Sequence, residues 1–107
     1  MRKKLIKDNH KALETLAHIG PKKALVIINN SPSKFLLVIR ILAKFVLDGT
    51  LPLEKHHVKT LKRHKNIIRD IAKSGSSKKT KKVVMQKGGS FFKTVLKTLI
   101  PLIPMIL

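Results

Sequence analysis

Apolar positions recur along this chain at helical spacing, with stop signals between the runs. Leu13, Leu16 and Ala17 share one side of a first segment while Lys11 and Glu14 fall elsewhere on the wheel, which predicts a helix opened by Asp8 as N-cap and stopped at Gly20-Pro21. Pro21 starts a short second helix through "KKALVII" that ends at Asn29-Asn30. Ser31-Pro32 reads as an N-cap followed by a proline in the first helical turn, opening "SKFLLVIRILAKFVLDG". That run is apolar on most of its circumference, with a stripe of Ser33, Arg40, Lys44 and Asp48. It reads as a buried central helix stopped by Gly49, being too long for an ordinary strand and lacking alternation.

After "GTLPL", the stretch from Glu54 to Lys73 places Val58, Leu61, Ile68 and Ile71 on one face and lysines on the others, predicting one amphipathic helix. "SGSSKKTKK" reads as a flexible basic linker, and "KVVMQK" adds a helical turn or two before Gly88-Gly89. Ser90 caps a last helix with Phe91, Phe92, Val95, Leu96 and Leu99 on its apolar side, ended by Pro101 and Pro104, with "LIPMIL" extended. The expected architecture is all-α: a small helical bundle with a helix-turn-helix-like pair, a basic linker and an amphipathic C-terminal helix or tail. The implied divisions are a helical domain at 1–73, a Ser/Lys/Gly linker at 74–89 and an apolar segment at 90–107.

Charge changes this picture from a plain bundle to one that needs a partner. The 107 residues hold 24 Lys+Arg against 5 Asp+Glu, a formal net charge of +19, and 43% hydrophobic residues, enough for a modest core. Self-repulsion of that size favours a polyanionic partner, either nucleic acid or an anionic membrane surface. The candidate phosphate contacts are Lys55, Lys59, Lys62, Arg63, Lys65, Arg69 and Lys73 along the cationic helix, then Lys78, Lys79, Lys81 and Lys82 in the linker. Lysine outnumbers arginine, and an ammonium lacks the fork that reads guanine, so backbone binding to double-stranded DNA with little base readout is expected. The alternative for this stretch is a merely solvated charged face, and the helix-turn-helix pair keeps a minority reading of sequence-specific recognition.

Other chemistries find little support. Cysteine is absent, and Asp8, Glu14, Asp48, Glu54 and Asp70 sit where caps or intrahelical pairs account for them. His56, His57 and His64 lack an accompanying carboxylate or thiolate set and lie among lysines, so no metal or other cofactor is expected, and these rings add positive charge on acidification. No phosphate loop or nucleophile with a base is present, and the expectation is a non-enzyme. The start, "MRKKLIKDNHKALETL", has no uninterrupted apolar run and is not expected to be a secretory signal. The segment from Phe91 to Leu107 has three readings: packing on its own domain or on a second copy, insertion into a membrane interface through Phe91, Phe92, Val95, Leu96 and Leu99, or a groove on another (capsid) protein.

The order "LDGTLPL", a lysine-rich helix with "LKRHKNIIRDIA", "KKVVMQKGG" and then "FFKTVLKTLIPLIPMIL" resembles the small basic proteins of Maverick/Polinton elements and adintoviruses, which have been likened to adenovirus core protein X, or mu. The resemblance covers about residues 31–107. It implies a virion protein that helps condense packaged DNA, located in the virion and, during assembly, in the host nucleus or cytoplasm. It also implies processing between Gly88 and Gly89, since adenovirus-type proteases favour Met or an aliphatic residue followed by a Gly-containing pair, and Met85, Gly88 and Gly89 stand at corresponding places. Lys87 departs from one form of that pattern. The alternative is that the two glycines separate one helix from the next.

Overall fold

The computed structural model describes residues 2–87 and 89–106, with side-chain surroundings described for all of these except 2, 87 and 89–92. It is all-α, as the periodicity predicts: α1 (Arg2–His18), α2 (Pro21–Asn29), α3 (Ser33–Asp48), α4 (Lys55–Lys62), α5 (Lys65–Lys73), α6 (Ser77–Lys87), α7 (Gly89–Leu99) and a closing 3₁₀ helix (Ile100–Ile106). The body measures 32 × 30 × 26 Å.

The hydrophobic central helix behaves as its composition dictates. α3 buries Phe35, Leu36, Val38, Ile39, Ile41, Leu42 and Ala43 and packs on α5, α6 and α1. It ends where Gly49 turns left-handed at φ 79°, a conformation that penalises any Cβ. Asp48 Oδ1 then accepts the Thr50 N–H at 2.9 Å, and the following loop drops Leu51 into the core at 2% exposure. α2 runs between the expected signals, Pro21 and Asn29.

Several local expectations are corrected. α1 begins at Arg2, not at an Asp8 cap: Ile6 is completely buried and extends the stripe of Leu13 and Leu16 by two turns, leaving Asp8 mid-helix and exposed. Ser31 does not cap α3. Its hydroxyl donates to the Ile27 carbonyl at 2.6 Å and so closes α2, while Pro32 takes the cap position.

The single helix expected over 54–73 is two. Lys62, Arg63, His64, Lys65 and Asn66 supply no apolar side chain for more than a turn, and the chain reorients there, with His64 N–H bonded to the Leu61 carbonyl at 3.0 Å. The break lets α4 pack on α7 while α5 packs on α3.

The basic linker is also a helix. Ser74 ends α5, Gly75 turns at φ 71°, and Ser76 Oγ accepts the Lys79 N–H at 3.3 Å as the cap of α6. Thr80 and Val84, one turn apart, are fully buried. The Thr80 hydroxyl is hydrogen-bonded to that of Ser74, which in turn donates to the Ile71 carbonyl at 2.7 Å, so the turn carries its own buried polar network.

The C-terminal segment is not a tail. Val95, Leu96 and Leu99 of α7 meet Ile39 and Leu42 of α3 and Ile68 and Ile71 of α5 around an apolar void of about 20 Å³. "LIPMIL" is not extended but lies in the 3₁₀ helix, whose three-residue repeat puts Pro101 and Pro104 on one exposed face and buries Leu102 and Ile103. The expected division into domain, linker and apolar segment is thus replaced by one core, to which Ile6, Ile39, Ile68, Val84, Leu96 and Ile103 all belong.

Candidate nucleic-acid interface

Each basic helix is oriented by a narrow apolar stripe. In α4 the Glu54 N–H donates to His57 Nδ1 at 3.1 Å, tying down the first turn, and Leu61 faces inward. Lys55, Lys59, Lys62 and Arg63 are left in solvent. In α5, Ile68, Ile71 and Ala72 are buried and Lys65, Arg69 and Lys73 are exposed. In α6, burial of Thr80 and Val84 turns Lys78, Lys79 and Lys82 outward.

Lys81 is the exception. It is half-buried, and its Nζ donates to the Asn29 carbonyl at 2.9 Å, satisfying the C-terminal end of α2 and locking α6 to it. Its first role is therefore structural, and a phosphate would have to compete with that carbonyl.

The cations are not gathered on the Lys55–Lys73 flank. α1 exposes Lys3, Lys4, Lys7 and Lys11, α2 Lys22 and Lys23, α3 Lys34 and Lys44, and α7 Lys97, so each of α1 to α7 presents at least one ammonium group to solvent. The signal for α1 was in the sequence, because Lys4, Lys7 and Lys11 recur at helical spacing opposite Ile6 and Leu13. Starting the helix at Asp8 hid it. The carboxylates Glu14 and Glu54 lie 3.2 Å from His10 Nδ1 and 3.6 Å from His56 Nδ1, local pairings with imidazole that leave lysines to solvent.

The remaining candidates fall differently. Val95, Leu96 and Leu99 are 8%, 2% and 2% exposed, so membrane or partner contact through them would require α7 to leave the core. The side chains of Phe91 and Phe92 lie outside the described residues. Among the described residues no single helix is long and apolar enough to cross a membrane. Gly88 lies outside the described residues and Gly89 is the first residue of α7. The His56 and His57 rings are tilted by 47° with centroids 3.9 Å apart, and among the described residues no three His, Asp or Glu side chains form a metal-binding group.

The arrangement can therefore do electrostatic work on a polyanion from several directions, using point charges on a rigid helical body. No family model, no curated protein and no solved structure matches this chain.

Proposed function

We propose that this chain is a non-enzymatic protein that binds double-stranded DNA without sequence preference and condenses it, as a virion core or accessory protein of a Polinton-like virus or element. The viral part rests on the sequence resemblance alone. The condensing part is carried by one observation: among the described residues, exposed lysines occur on each of α1 to α7 in a body only 26–32 Å across.

The charge arithmetic favours bridging. Duplex DNA carries one charge per roughly 1.7 Å of axis, so a stretch as long as this body offers about 18 phosphate charges. A rounded particle presents only part of its surface to one duplex. With roughly half of the 19 exposed Lys and Arg among the described residues engaged it makes about 8–10 contacts, and the remainder stay available to a second duplex. Condensation needs that second contact.

The test is a titration of random-sequence duplexes at several salt concentrations, with light scattering alongside. The log of affinity should fall with log salt at a slope of about −7 to −9 and be indifferent to sequence, and scattering should rise as duplexes are bridged. A flat salt response sinks the reading, and steep binding without bridging removes the condensing part. Replacing Lys3, Lys7 and Lys11 by Gln should shift the condensation midpoint as much as replacing Lys55, Lys59 and Lys62. A loss confined to the second triple would restore the single-flank interface.

A further inference from the structure

Between the end of α3, the 49–54 loop and helices α4 and α5 lies an open groove of about 360 Å³. Its floor is apolar: Leu61 and Ile68, both core residues, with Leu53 half-buried beside them. Its walls are Leu47 and Val58, which remain 43% and 48% exposed although each has an aliphatic neighbour within the groove. Its rim is cationic, Lys62 and Lys65 standing over the opening, and an adjoining cleft adds Lys55 and Lys59 with Glu54 as the one carboxylate.

Duplex DNA has nothing to put here. A phosphate backbone would pair with Lys62 and Lys65 but leave Leu47 and Val58 against water or anionic oxygen, an unfavourable surface of the kind that marks interaction sites. A second copy is disfavoured by charge, because a chain of net charge +19 would have to approach the cationic rim, and of the exposed apolar side chains it could offer outside its own groove (Val26, Ile27, Leu37, Met85 and Met105) Val26 and Ile27 are flanked by its own Lys22 and Lys23. A bilayer is flat and does not reach the floor of a concave site.

We propose that this groove receives an acidic amphipathic helix of another protein. Aliphatic side chains at i, i+3 or i+4, and i+7 would fill the floor between Leu47 and Val58, and flanking carboxylates would meet Lys62 and Lys65. The same two lysines would then be withdrawn from DNA, so partner and duplex compete at this edge while the other faces keep their hold. Occupancy of the groove does not depend on the DNA-binding proposal; the competition with duplex does.

The probe is a labelled helical peptide of about 18 residues, long enough to hold a helix, with Leu on one face and Glu on both flanks. It is titrated into the full chain beside a Leu→Ser version and a version with Lys in place of Glu. The Leu/Glu peptide should bind best. The double variant Leu47→Ser, Val58→Ser should weaken it about tenfold, roughly the effect of losing two aliphatic contacts. Val26→Ser should leave it unchanged, and Lys62→Glu should shift preference toward the Lys-flanked peptide. Both groove side chains are exposed, and an unchanged melting temperature shows that the fold persists. Equal binding of the Leu→Ser peptide would mean attraction to any acidic polymer and overturn the proposal, as would indifference to the double variant. Anionic phosphatidylglycerol vesicles whose binding tracks Leu47 and Val58 would assign the groove to a membrane instead.

Discussion

The stretch from Lys55 to Lys73 and the stretch from Ser77 to Ile106 exchange the roles their compositions suggest. The first has the stronger amphipathic pattern, yet it breaks in the middle, buries Leu61, Ile68, Ile71 and Ala72, and leaves Val58 half-exposed over an open groove. The second has the composition of a linker and a detachable tail, yet it puts Thr80, Val84, Val95, Leu96, Leu99, Leu102 and Ile103 into the core. Lysine density therefore does not separate working surface from scaffold in this molecule. What separates them is whether the few non-lysine positions at helical spacing find a covering surface.

The comparison can be broken first by deletion. Removing residues 90–107 takes five buried aliphatic side chains from the core, on the order of 10 kcal/mol of burial and comparable to the whole stability of a small domain. The truncated chain should lose its cooperative thermal transition by circular dichroism. A sharp transition in the truncated chain would return the C-terminal segment to the status of an appendage.

A charge placed in each of the two stretches gives the next largest contrast. Val84→Asp puts an unpaired carboxylate at a position with no solvent exposure and should cost several kcal/mol or prevent folding, whereas Val58→Asp on α4 should move the midpoint of denaturant unfolding little. Equal effects would erase the distinction between a buried α6 and an open α4.

Gly75→Ala probes the turn that the linker reading missed. The added Cβ meets nothing closer than the Lys73 carbonyl at 3.8 Å, so the cost is that of a left-handed backbone, about 1–2 kcal/mol, seen as a lower unfolding midpoint. The smallest effect belongs to the Ser74–Thr80 hydroxyl pair. Thr80→Val should cost about 1 kcal/mol, and Ser74→Ala should cost less in that background than in the unmodified chain, because the hydrogen bond the two hydroxyls share is already gone.

Much of the fold was legible because its signals are local. α2 and α3 fall between Pro21, Asn29 and Gly49 almost as those residues dictate, and the break at 62–66 was present as five polar positions in a row. α6 was hidden because Ser, Gly and Lys signal mobility by composition but cap and turn by position. Ser74, Gly75 and Ser76 end one helix and begin another. Of the candidate contacts, the outward direction of Lys55 to Lys73 was legible from the stripe opposite them. The tie between Lys81 and Asn29 was not, since it joins residues 52 apart in the chain.

By itself, the sequence determined that this chain is all-α across the described residues and that its surface is overwhelmingly positive, because periodicity and side-chain charge are properties of each short segment. Tertiary structure alone decided which apolar stripes cover one another, that the C-terminal segment closes the core, and that exposed lysines occur on each of α1 to α7 instead of along one flank. Those outcomes depend on the angle at which each stripe meets its partner, and no segment carries that angle within itself.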